Sequence, residues 1–145
     1  MFQHVLIPTD GSELAERAIR YGVALAKEQR AKVTAVAVWR PFHVVTLEAE
    51  MLADTAAAYA KHVAERTRKY LEAASQAAKA AGVTCDTLAI EHEHPYQGII
   101  ETARKRECDL IVMASHGRSG ISAVILGSQT VKVLTHTKIP VLVYR

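Results

Sequence analysis

Five short segments that favour strands alternate along the whole chain with segments that favour helices, and this alternation leaves few folds open. Val5–Pro8, Val33–Trp39, Leu110–Met113 and Ile139–Tyr144 are almost unbroken apolar runs rich in β-branched residues, whereas Thr84–Ile90 is weaker and alternates. An unbroken apolar strand is buried on both faces, and strands joined through helices pair in parallel, because the crossover runs back along the sheet. The order β-α-β-α-β-α-β-α-β thus predicts an α/β fold: an open parallel sheet with helices on both faces. In such a sheet crossovers are right-handed, and ligands sit beyond the carboxyl ends of the strands where the strand order reverses.

The helices carry their own punctuation. Ser12 is a good N-cap, and Leu14, Ala18, Tyr21 and Leu25 follow at steps of four and three, predicting the buried face of a helix that ends near Gln29. From about Thr46 to Ala81 an alanine-rich stretch places Leu47, Met51, Ala58, His62, Tyr70 and Ala74 at helical steps, and Gly82 closes it as a C-cap. A short helix after Pro95 turns Ile99, Ile100 and Ala103 inward. The last helix starts after Gly127 and Ser128, carries Val131, Val133 and Leu134 inward, and cannot continue through Pro140.

Length and composition narrow the function. The 145 residues fit a single domain, residues 1–145, that buries a core without disulfides or metals. A chain half hydrophobic and 23% charged is not a disordered one. No apolar run approaches the roughly 20 residues of a membrane span, and MFQHVLIPTDG meets turn and charged residues too soon for a secretory signal, so no membrane partner and a cytoplasmic location are expected. The net charge of +3 suits an anionic ligand, but the basic residues are dispersed. Arg104, Lys105 and Arg106 would be scattered around a helix, so no nucleic-acid partner is expected. Cys85 and Cys108 lack CxxC spacing and read as small buried hydrophobes, and Trp39 reads as packed. His92 and His94 lack visible further ligands and read as surface histidines, so no metal site is predicted.

Two of the loops that follow strands carry chemistry. In PTDGS, Asp10 stands where the chain leaves the sheet, placed to accept from a ligand or from the first amides of the helix. In MASHGRSGISAVILGS, Gly117, Gly120 and Gly127 let backbone amides approach a ligand, and Gly127 and Ser128 open the final helix. Such amides form an anion site for which phosphate is the common occupant, with Arg118 adding charge and Ser128 a hydroxyl. The bland alternative is that the glycines make turns and Ser128 caps the helix. Neither GxxxxGK[ST] nor GxGxxG after the first strand is present. His116 lies within this loop as a structural or ligand-edge residue without a recognisable nucleophile beside it.

The segments HVLIPTDGS, VTAVAVW, HPYQGIIETA, CDLIVMASHGRSG and LGSQTVKVLTHTKIPVLVYR, in this order, resemble the universal stress protein family over nearly all of the chain. The G-x2-G-x9-G-[S/T] pattern of its ATP-binding branch keeps its spacing as Ala114, Gly117, Gly127 and Ser128, with alanine in the first position. The resemblance implies a Rossmann-like five-stranded sheet of order 3-2-1-4-5. It implies adenine near Pro8, Thr9, Asp10 and Val38, ribose near Ala114 and Asp10, and phosphates on the Gly117 loop and the amides of Gly127, Ser128 and Gln129, with Mg2+ as companion. Alanine at 114 adds a methyl beside the sugar, at a cost of roughly 1 kcal/mol if a positive φ is required there.

The resemblance also implies a homodimer through the final edge strand, about Pro140 to Tyr144, whose nucleotide occupancy changes its shape or partners. The alternatives are an interaction module with a vestigial site and a slow ATPase or phosphotransferase built on Ser115, His116 and Arg118. The last is disfavoured, because none of these residues has a helper visible in the sequence.

Overall fold

The computed structural model describes residues 1–42, 49–117 and 126–145. Its elements run β1 (His4–Pro8), α1 (Glu13–Gln29), β2 (Lys32–Trp39), α2 (Ala49–Ala81), β3 (Cys85–Glu91), α3 (Pro95–Lys105), β4 (Leu110–Ala114), α4 (Ser128–His136) and β5 (Val141–Tyr144). The strands form one sheet in the order β3-β2-β1-β4-β5, with every pairing parallel. The chain moves outward from β1 to β3, then returns to the other side of β1 for β4. The ends of β1 and β4 therefore mark the reversal at which a crevice opens.

Alternation along each strand sends neighbouring side chains to opposite faces. Val5, Ile7, Val33, Ala35, Leu110 and Val112 face α1 and α2, whereas Leu6, Val36, Ile111 and Met113 face α3 and α4. Both faces are covered, which is why the central strands read as continuous apolar runs.

α1 starts where the sequence predicts: Ser12 Oγ accepts from the Ala15 N–H at 3.2 Å. Its inner face, however, is Ala15, Ala18, Ile19, Gly22, Val23 and Ala26, while Tyr21 is 45% exposed and Leu14 and Leu25 are half-buried. The buried stripe is thus turned by about one residue from the expected one. The reason is clearance: a Cβ on Gly22 would lie 2.7 Å from Ile7 Cδ1, so α1 meets the sheet through its smallest residues.

α2 corrects the expectation in the same way. Val63, Thr67, Leu71, Ala74 and Ala78 are buried, whereas Ala58 and His62 are exposed and Tyr70 is half-buried. The start near Thr46 and Leu47 lies outside the described residues, and of Met51 only the helical backbone is described. Gly82 ends this helix with φ +73°, as its place in the sequence predicts.

In α3, Ile99, Ile100 and Ala103 point inward as expected. In α4, Thr130 and Val133 are buried while Val131 and Leu134 are 41% and 39% exposed, so two of its three expected inward residues face out. Thr130 takes the inner position because its hydroxyl finds the Ala114 carbonyl at 3.0 Å. No helix among the described residues is long and apolar enough to cross a membrane.

Candidate functional site

The β1–α1 turn is fixed by its own side chains. The Thr9 N–H donates to the Val36 carbonyl at 2.9 Å, carrying the β1–β2 ladder one residue beyond β1. Thr9 Oγ1 then accepts from the Gly11 N–H at 3.2 Å, and Asp10 Oδ1 from the Ser12 N–H at 3.0 Å. Asp10 thus turns the chain, and Ser12 supplies the cap. Gly11 is required twice over: its φ is +76°, and a Cβ there would run into the ring of Tyr70 from α2. Peptide direction alternates along a strand, so Val38, two residues beyond Val36, turns its N–H and C=O to the same side as Val36, past the end of β1.

The β4–α4 connection is pinned at both ends. The Ser115 N–H donates to the Tyr144 carbonyl at 2.7 Å, and the Ser115 carbonyl accepts from the Gly127 N–H at 2.7 Å. Gly127 is the N-cap of α4 and Ser128 its first helical residue, which corrects the reading of Ser128 as a cap. A Cβ on Gly127 would lie 3.1 Å from His116 Cα, so a side chain there would press on the loop. At Gly117 a Cβ would run into the Asp10 carboxylate. The first N–H groups of α4, those of Ser128, Gln129 and Thr130, precede any intrahelical acceptor. Ala114 closes β4 opposite Tyr144, and the positive-φ residues other than glycine among those described are Arg30 and Glu107. The strain expected for alanine at 114 is therefore absent.

These loops enclose a cleft of about 560 Å³ at the switch point. Pro8, Thr9, Asp10 and Val38 line it from the ends of β1 and β2, and Ala114, His116, Gly117, Gly127, Ser128 and Gln129 from the β4–α4 connection. Arg118 and Gly120 lie outside the described residues. The apolar wall also takes Val36, Pro95, Ile99 and Met113, which sequence reasoning left out. Val36 was signalled by its two-residue spacing from Val38. Pro95 and Ile99 reach the cleft only through the crossover geometry of α3.

Ser115 is 4% exposed, and its Oγ stands 3.2 Å from His116 Nδ1, a contact that orients the ring. His92 Nδ1 accepts from the His94 N–H at 2.9 Å, and its Nε2 faces Glu101 Oε1 at 3.5 Å. Among the described residues no three His, Cys, Asp or Glu side chains are grouped to hold a metal ion. Burial, helped by Asp109, pushes the Cys108 thiol up to about 11, and burial raises that of the half-buried Cys85. Trp39 is half-buried at the end of β2.

Fold and cleft together define a doubly wound α/β protein with an open crevice at its switch point. The model of the universal stress protein family matches residues 1–145, and the chain belongs to that family. A universal stress protein of Methanocaldococcus jannaschii is 32% identical over 145 residues, covering 100% of this chain and 83% of that protein. A solved universal stress protein in complex with cAMP is 27% identical, with a TM-score of 0.70 over 99% of this chain and 97% of the other. A hypothetical protein solved to assign its biochemical function from structure is 24% identical and shares the fold, with a TM-score of 0.83 over 99% of this chain and 96% of the other.

Proposed function

We propose that this universal stress protein binds ATP in the switch-point cleft and acts as a nucleotide-responsive homodimer in the stress response. The observation that carries the reading is the first turn of α4. The N–H groups of Ser128, Gln129 and Thr130 open at one end of a cleft whose other walls are largely apolar. A nucleotide has the matching chemistry, a flat apolar head and an anionic tail. Adenine fits among Pro8, Thr9, Val36, Val38 and Ile99, where the Val38 peptide offers the donor and acceptor that its edge requires. Asp10, which stands against Gly117, accepts from the ribose hydroxyls, and the phosphates take the amides of Gly117, Ser128 and Gln129, since that of Gly127, expected to join them, is bonded to the Ser115 carbonyl. The relative solved with cAMP supports a nucleotide as the ligand class.

Mg2+ is expected to accompany the triphosphate. Asp10 is the one carboxylate among the described lining residues, so it is the one carboxylate they offer the ion, and phosphate oxygens and water complete the coordination. We read the site as binding and not catalytic. Hydrolysis needs a group that positions water and another that neutralises developing charge, and Ser115, buried against His116, is poorly placed for either. The dimer reading is supported by β5, a sheet edge made of the apolar Val141–Tyr144.

Calorimetric titration of nucleotide-stripped protein with ATP and Mg2+, with AMP as control, tests the proposal. The expected result is micromolar binding of about one ATP per chain, weaker with AMP. No heat up to millimolar ATP from folded protein would overturn it and leave the dimer surface as the seat of function. The exposed Val131 and Leu134, three residues apart on α4, favour that second reading.

A further inference from the structure

Gln129 faces two ways. Its backbone N–H belongs to the open first turn of α4, while its side-chain Oε1 accepts the Tyr96 N–H at 2.9 Å. Tyr96 is the second residue of α3, directly after Pro95, so its amide is one that the helix cannot satisfy from within. His94, the N-cap of α3, makes no side-chain cap bond. The neighbouring helix thus supplies the cap that α3 lacks.

The side chain of Tyr96 continues the attachment. Its ring lies 5.0 Å from that of His136 and 5.5 Å from Lys132 Nζ. Gln129, Lys132 and His136 follow at steps of three and four, so Tyr96 lies along one stripe of α4, held by its amide at one end and its ring at the other. α4 itself is anchored to the sheet: Thr130 Oγ1 donates to the Ala114 carbonyl at 3.0 Å, and Gly127 is bonded to Ser115. Pro95 and Ile99 form part of the apolar wall, and Gly127 and Ser128 lie at the amide end. The Gln129–Tyr96 bond therefore ties one side of the cleft to the other.

We propose that Gln129 is a positioning residue that fixes the width of the cleft by capping α3 from α4. Its effect on affinity rests on the nucleotide reading above; the bond itself does not. Because the side-chain oxygen is engaged by Tyr96, Gln129 serves the ligand through its backbone and through the wall it holds.

Two substitutions separate these roles. Gln129→Met keeps the length and removes the acceptor, whereas Gln129→Glu keeps an acceptor and adds charge. Amide hydrogen exchange at Tyr96 is measured without nucleotide, and calorimetry follows with ATP and with AMP. In Gln129→Met, Tyr96 should exchange about tenfold faster, and both nucleotides should weaken by the same factor of about five, the scale of one uncharged hydrogen bond. In Gln129→Glu, Tyr96 should stay protected, while ATP weakens more than AMP because a carboxylate stands beside the phosphates.

Unchanged Tyr96 exchange in Gln129→Met would overturn the proposal. So would a loss confined to ATP in that variant, which would mean direct contact with the phosphates. Wild-type protein that binds neither nucleotide, with Tyr96 deprotected only in Gln129→Met, would remove the nucleotide reading and support the clip.

Discussion

Gly117 and Asp10 approach so closely that any side chain at 117 would occupy the space of the Asp10 carboxylate. The two residues follow different strands and meet because β1 and β4 are neighbours in the sheet. Asp10 is not at liberty to swing aside, since its Oδ1 holds the Ser12 N–H at 3.0 Å. Gly117 is thus needed for proximity and not for a left-handed backbone, which among the described glycines belongs to Gly11 and Gly82.

Gly117→Ala should therefore act through Asp10. We expect a loss of about 1 kcal/mol in stability as the Ser12 bond is strained, and at least a tenfold fall in ATP affinity. Urea unfolding and calorimetry on the same preparation read both. Unchanged affinity would mean that the Asp10 carboxylate does not set binding.

Ala114→Gly is expected to do little for the ligand. Ala114 ends a strand in ordinary extended geometry opposite Tyr144, so there is no backbone strain for glycine to relieve. Affinity should stay within about twofold, while stability drops by roughly 0.5–1 kcal/mol from the freer backbone. A gain of tenfold or more in affinity would show that the alanine methyl obstructs the sugar.

His4 should make stability depend on pH. It is 5% exposed, its Nε2 lies 2.7 Å from Thr34 Oγ1, and burial, reinforced by Lys32, lowers its pKa below the ordinary 6.5. A lowered histidine pKa means that the fold prefers the neutral ring. The stability it contributes is complete above the unfolded value of 6.5 and is lost as pH falls through the lower folded value. The difference in urea midpoint between wild type and His4→Gln should therefore shrink between about pH 7 and 5, and a constant difference would refute the assignment.

The proposed dimer has an edge-specific test. The carbonyls of Pro140 and Tyr144 accept from β4, so the alternate residues Val141 and Val143 turn their peptide groups to the open side of β5. Val143→Pro removes an outward N–H and leaves the β4 ladder intact. Sedimentation should show dimer in wild type and monomer in the variant, with thermal stability of the monomeric fold retained. Wild-type protein that is monomeric at working concentration would dispose of the dimer.

The strands were legible because central parallel strands bury both faces, and Val33–Trp39 or Leu110–Met113 can hardly be read otherwise. The inner faces of α1 and α4 were not. Leu14, Ala18, Tyr21 and Leu25 have the same helical period as Ala15, Ala18, Gly22 and Ala26, and periodicity cannot choose between stripes turned by one residue. The sheet chooses the smaller set, because Ile7 leaves no room for a side chain at Gly22. Likewise Val131 and Leu134 read as core, and only the Ala114 carbonyl explains why Thr130 lies inward. At the cleft, Asp10 and the glycine spacing were visible in the sequence, whereas Pro95, Ile99 and the Gln129 clip depend on how α3 comes to rest beside α4.

The bond from the Gly127 N–H to the Ser115 carbonyl also bears on how the chain tolerates change in length. Residues 116–126 leave and return at two peptides joined at 2.7 Å, so the start of α4 is set by that junction and by Thr130, whatever the number of residues between. Chain-closure entropy rises by only about 0.6 kcal/mol for each doubling of a loop. Insertions between Gly117 and Leu126 would therefore change the length of that segment without shifting the start of the helix that follows it. The junction thus separates the placement of the α4 amides from the length of chain that precedes them, and lets one vary while the other is kept.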